Sequence, residues 1–169
     1  HLGSFEYYMY LDHWNGSDNL FQILGIDKEN YVRTYASFLS LLHPEDKESI
    51  HQSFEQGRLT GQELNFECRL TRPSDDREIW VNCRAKYFSD KEGRSSKMSG
   101  VIQDISERKQ VEEELNILSL VAKKTSNAVI ITNLQKEIQW VNERVLEITG
   151  YSREEIIGNT PRMFQFEKT

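Results

Sequence analysis

The chain has 169 residues, with Lys+Arg 21 against Asp+Glu 27 and a net charge of -6. An acidic surface of this kind has no field to draw phosphate backbones or an anionic lipid leaflet, so general nucleic-acid and membrane-surface binding are excluded. Two cysteines, Cys68 and Cys83, are too few for a disulfide framework or a zinc site, and no apolar run approaches the ~18 residues of a membrane span. The chain opens His1-Leu2-Gly3 without an initiator methionine and reads as a soluble piece of something longer.

Residues 4 to 11 alternate Phe5, Tyr7, Met9, Leu11 with polar or aromatic neighbours, the period-2 pattern of a strand with one face on a core. Residues 12 to 17 are rich in turn formers. From Asp18 the spacing of Leu20, Phe21 and Leu24 predicts a short helix stopped by Gly25. An apolar cluster at 37 to 42 leads to His43-Pro44-Glu45-Asp46, where proline in the first turn and acids at the positive end open a longer helix, expected to run to about Gln56 and close at Gly57.

Leu64, Phe66, Cys68 and Leu70 then alternate with polar residues, and after the turn Pro73-Ser74-Asp75-Asp76 so do Ile79, Val81, Cys83, Ala85 and Tyr87. The two runs predict a hairpin with both cysteines on one side, opposite each other if the turn is centred between Asp75 and Asp76. Residues 98 to 105 supply a third strand. One strand, short helices and a three-stranded meander make an α+β domain ending near residue 105.

Beyond it, Val111, Leu115, Leu118 and Ala122 are spaced 4, 3, 4, a seam of two heptads on a connector helix for which Ser106 is the expected N-cap. Residues 128 to 133 and 138 to 141 read as strands, 142 to 149 as a helix stopped by Gly150, and Ser152 begins another. The stretch around Trp140 repeats the order seen around Trp14: aromatic, polar helix start, apolar triplet, glycine.

In this order the residues resemble tandem PAS domains. The first copy carries the likeness in Phe21-Gln22-Ile23-Leu24-Gly25, Leu42-His43-Pro44-Glu45-Asp46, Arg77-Glu78-Ile79-Trp80-Val81 and Gly100-Val101-Ile102-Gln103-Asp104-Ile105-Ser106. The last run is similar to the Asp-Ile-Thr segment that joins a PAS core to its output helix, with Ser106 for threonine. The second copy is similar through Asn127-Ala128-Val129-Ile130-Ile131-Thr132, Trp140-Val141-Asn142 and Ile148-Thr149-Gly150-Tyr151-Ser152. The resemblance implies a five-stranded antiparallel sheet with flanking short helices in a complete domain at 1–105, a connector at 106–126 and the first half of a second copy at 127–169.

It also implies a non-enzymatic sensory and signal-relay module of a bacterial cytoplasmic signalling protein. A sensor histidine kinase is the expected parent, with a diguanylate cyclase or phosphodiesterase, or a ligand-free dimerisation spacer, as alternatives. Strand parity selects Phe5, Tyr7, Leu64, Phe66, Cys68, Leu70, Val81, Cys83, Ala85, Gly100 and Ile102 as pocket candidates, eight of which (Phe5, Tyr7, Phe66, Cys68, Leu70, Val81, Cys83 and Ile102) form the expected cofactor or ligand site. Asp104 and Ser106 are the expected joint into the seam of Val111, Leu115, Leu118 and Ala122, and Trp80 and Arg84 an outward contact surface. The expected partners are a second copy, bound through the connector and the sheet face, a small-molecule ligand, and an output domain downstream in the same chain.

No cofactor is named by these residues. Where flavin-binding relatives carry a reactive cysteine, Asn159-Thr160-Pro161-Arg162 has proline, and Ile102 stands where they carry a flavin-reading glutamine. Haem requires an axial ligand, but His43 reads as a helix cap and His51 as a surface residue. Cys68 and Cys83, among apolar neighbours, read as inert buried thiols.

Overall fold

The computed structural model describes residues 2–164. The chain divides into two compact units, 1–109 and 110–169.

In the first unit, β1 (Leu2–Tyr8), β2 (His13–Gly16), β3 (Leu64–Thr71), β4 (Glu78–Ser89) and β5 (Ser95–Asp104) form one antiparallel sheet in the order β2-β1-β5-β4-β3. Helices α1 (Asp18–Leu24), α2 (Tyr35–Leu41) and α3 (Pro44–Thr60) supply the other apolar surfaces of a single core.

The expected first strand is shorter than its alternation suggests. It stops at Tyr8, a 3-10 turn covers Met9–Leu11, and Leu11 is exposed. Asp12 makes the reversal: it adopts φ 42, and its Oδ1 accepts from the Tyr7 hydroxyl at 2.8 Å and from the Tyr35 N–H at 2.9 Å. The segment expected to be only a turn is therefore strand β2, which pairs Trp14 with Tyr7 and buries the indole.

Helix α1 ends at Gly25, whose φ of 63 is the left-handed cap expected of it. Helix α3 opens as the sequence predicts, with His43 Nδ1 accepting from the Glu45 N–H at 3.3 Å and Pro44 inside the first turn. It does not end at Gly57. That glycine is buried within the helix because a Cβ would come within 2.5 Å of the Tyr87 ring, and the left-handed cap is Gly61, one turn on. Arg69, on edge strand β3, donates to Asp46 and Glu45 at the α3 N-terminus and so fastens the helix to that edge.

The expected inward parity of β3 and β4 holds, with Leu64, Cys68, Leu70, Ile79, Val81, Cys83 and Ala85 all buried. The register is shifted from the expected one. Cys68 faces Val81 and Phe66 faces Cys83, so the cysteines are diagonal neighbours rather than opposites. Both are free thiols.

Helix α4 (Ser106–Lys124) follows β5 directly. In the second unit β6 (Ile130–Thr132) and β7 (Ile138–Val141) form a two-stranded sheet, followed by α5 (Glu143–Thr149), α6 (Arg153–Ile156) and a 3-10 turn at Pro161–Phe164. Gly150 caps α5 as expected, and Ser152 and Glu155 form a capping box on α6. Ile138, Val141, Val145 and Ile156 make this unit's small core. Among the described residues no helix is long and apolar enough to cross a membrane.

Candidate functional site

Between the inner face of the sheet and helices α1 to α3 lies a cavity of about 50 Å³ with a wholly apolar lining. Of the residues selected by strand parity, Phe5, Tyr7, Leu64, Phe66, Cys83 and Ile102 line it. Cys68, Leu70 and Val81 are buried elsewhere in the core, and Ala85 and Gly100 also lie outside the lining.

The rest of the wall comes from residues that strand parity could not select. Trp14 sits on β2, read as a turn; Leu20, Leu24, Ile50 and Phe54 come from helices, where their i,i+4 spacing was the available signal. Tyr35 and Phe38 come from α2, and Met98 from β5, where the alternation that selected Gly100 and Ile102 also reaches it.

The lining rings turn their polar atoms outward. Tyr7 donates to Asp12, Trp14 Nε1 donates to the Thr34 carbonyl at 3.2 Å, and the Tyr35 hydroxyl meets His51 Nδ1 at 3.1 Å. Burial pushes the Tyr7 and Tyr35 hydroxyls well above the usual phenol range, so both are neutral at any physiological pH. It pushes the Cys68 thiol up to about 12 and the Cys83 thiol higher still, the behaviour of inert rather than reactive cysteines. His43 is the α3 cap and His51 is exposed; neither lines the cavity.

The opposite end of β5 is a joint. Asp104 Oδ1 accepts from the Ser106 N–H at 2.9 Å, the bond expected to hold the junction. Ser106 Oγ accepts from the Trp80 N–H at 3.0 Å, and so ties α4 to strand β4 rather than acting as the N-cap expected of it. The Trp80 ring carries Lys109 Nζ at 4.9 Å and the Arg69 guanidinium at 5.6 Å from its centroid. The expected contact aromatic is thus partly covered by the chain's own first helical turn, while Arg84 stays exposed. Glu67 accepts from Lys109 and Arg108 at 2.7 and 2.6 Å, which lowers its pKa.

Beyond Lys109, α4 buries no residue: Val111, Leu115 and Leu118 are exposed, and Ala122 is half-buried. At its far end the Asn142 side chain, 1 % exposed, donates to the carbonyls of Ala122 and Asn127 and accepts from the Val129 N–H.

A family model described as the PAS fold matches residues 13–102, more than half of the chain. The chain belongs to the PAS family. A second model, described as a PAS domain, matches residues 126–169, so the repeat read in the sequence is a tandem of PAS copies. The sensor protein FixL of Bradyrhizobium diazoefficiens is 28% identical over 146 residues, 84% of this chain. The chain spans only 28% of that protein's length.

Among solved structures, a sensory box histidine kinase/response regulator from Burkholderia thailandensis shares the fold at TM-score 0.62 and 17% identity, over 73% of this chain and 92% of that one. The N-terminal domain of a diguanylate cyclase with a PAS/PAC sensor from Marinobacter aquaeolei does so at 0.59 and 16% identity, over 64% and 98%. The α+β fold with its five-stranded antiparallel sheet is the PAS fold, and PAS domains are sensory, non-catalytic modules of signalling proteins.

Proposed function

We propose that this chain is the sensing and relay segment of a sensor histidine kinase, working in the cytoplasm as a homodimer. In this reading residues 1–105 receive a small-molecule ligand in the core cavity, residues 106–126 carry the signal, and residues 127–169 are the second PAS copy on the way to an output domain in the same protein. The observation that carries the reading is the continuity of β5 and α4: Ile102 is in the cavity wall, and four residues later Ser106 begins a helix whose apolar stripe is exposed. A shift of β5 driven from the cavity passes through Asp104 and Ser106 into the helix, and a short seam of Val111, Leu115, Leu118 and Ala122 is weak enough to be biased by a few kcal/mol.

Sedimentation of the chain beside a Leu115→Asp/Leu118→Asp variant tests the pairing, and the variant is expected to dissociate at concentrations where the parent chain is dimeric. In the full-length protein, Asp104→Ala is expected to uncouple output from stimulus with the first domain still folded. Wild-type regulation and association in both variants would leave the helix as a tether and favour the ligand-free spacer. Cyclic-di-GMP synthesis or hydrolysis by the full-length protein would replace the kinase with a diguanylate cyclase or phosphodiesterase.

A further inference from the structure

We propose that the guest of the first-domain cavity is a small uncharged molecule with no hydrogen-bonding group, an apolar gas or a short hydrocarbon. The inference rests on the reading of that domain as a sensor and adds the chemical class of what it senses. The three N–H and O–H groups on the lining side chains of Tyr7, Trp14 and Tyr35 are engaged away from the cavity, with Asp12, the Thr34 carbonyl and His51. A polar guest would surrender its hydration and find only the weak thiol of Cys83 as a partner, too little to offset the desolvation loss. Water meets the same obstacle, since a buried water needs two to four polar partners, and apolar cavities of this kind stay dry.

Size points the same way. The cavity of about 50 Å³ is far below the ~300–1,000 Å³ of sites that enclose drug-sized ligands. It is about a third of the roughly 150 Å³ at which an engineered apolar cavity in another protein holds benzene or xenon. A guest of a few heavy atoms therefore fits the walls as they stand.

Access is short. Tyr7, Tyr35 and Phe54 line both this cavity and an open groove of about 440 Å³ on the surface, so a single layer of rings separates the two. Of these, Tyr35 is the half-buried ring, stacked on Phe54 at 4.1 Å.

The test uses the whole chain with labelled methyl groups under xenon pressure, then with butane, and in parallel with imidazole and acetamide as polar probes of similar size. Hydrogen exchange of residues 106–111 is followed in each case. Saturable shifts at Leu64, Met98 and Ile102 with xenon and butane, absent with the polar probes and absent at Val145 and Ile156, are the expected result. Cys83→Leu, which fills the space, should abolish them. If that variant fails to fold, the localisation still rests on the wild-type methyl map.

Shifts at these methyls with the polar probes alone would overturn the ligand class, and if exchange in 106–111 then changes, the sensor reading survives without it. Apolar shifts with unchanged exchange would support the ligand class and count against the relay. No shift with any probe would overturn the proposal.

Discussion

Trp80 and Ser106 are joined through the backbone of a strand and the side chain of a helix: the Trp80 N–H donates to Ser106 Oγ at 3.0 Å, while the Trp80 carbonyl accepts from the Ile105 N–H at 2.9 Å. The end of β5 and the start of α4 are therefore anchored to one residue of β4. Ser106→Ala leaves the Trp80 N–H without its partner, and a loss of about 1 kcal/mol in the first domain's unfolding free energy is expected. Faster hydrogen exchange confined to residues 105–110, with protection of β3 unchanged, would show that the anchor acts on the joint. Uniform loss of protection would show that it serves the whole fold.

Phe54 packs against Tyr7, Tyr35 and Tyr87, with ring centroids at 5.9, 4.1 and 6.2 Å. Its replacement by alanine joins the cavity to the outer groove and should cost about 3–5 kcal/mol, the range for removing a buried aromatic. Urea denaturation measures it. A cost below about 1 kcal/mol would mean that the rings of α2 and α3 collapse into the space.

Asp46, Glu67 and Asp90 are among six described carboxylates of the first domain, with Glu6, Asp18 and Asp27, whose lowered pKa values shape its acid limb. The Arg69 guanidinium beside Asp46 and the Lys109 and Arg108 side chains beside Glu67 lower both pKa values, and Asp90 is held down to about 2 by the Tyr10 hydroxyl and by backbone N–H groups in its turn. Groups with depressed folded-state values contribute stability that is fully present above the unfolded values near 4 and is lost as pH falls through the folded ones. The denaturation midpoint should thus hold from pH 7 to about 5 and fall steeply between about 4 and 2. Asp46→Asn should flatten part of that slope; an unaltered slope would show that the Arg69 contact contributes nothing in solution.

Asn142 is the buried polar residue among those described in the second unit, and its side-chain amide donates to the Ala122 carbonyl in the last turn of α4 and to the Asn127 carbonyl while its Oδ1 accepts from the Val129 N–H. Asn142→Ala strands the Val129 N–H and two carbonyls, at about 1–3 kcal/mol for each buried group left unpaired. Limited proteolysis should then cut within residues 120–145 while the first domain stays intact. Equal resistance of variant and wild type would mean that water replaces the amide at no cost.

A peptide of residues 127–169 should show no cooperative thermal transition. Its described sheet has two strands, and a two-stranded sheet is marginal in water without further strands or a larger packed face. A sigmoidal melt by circular dichroism would contradict this.

The sequence by itself determined which faces are buried and where most elements start and stop, because those depend on local periodicity and backbone chemistry. Leu64, Cys68, Val81 and Cys83 face inward through period-2 alternation, and Gly25 and Gly150 stop their helices by adopting a left-handed φ that other residues resist. What the tertiary structure decided depends on contacts distant in sequence. Gly57 resembles a helix stop until Tyr87, thirty residues later, is found against it. The Cys68 register hangs on where the hairpin turns, and β2 exists because Asp12 can reach both Tyr7 and Tyr35. The cavity belongs to this second class. Its walls come from sheet and helices together, and its lack of polar character depends on where three aromatic side chains send their N–H and O–H groups, which no one-dimensional pattern records.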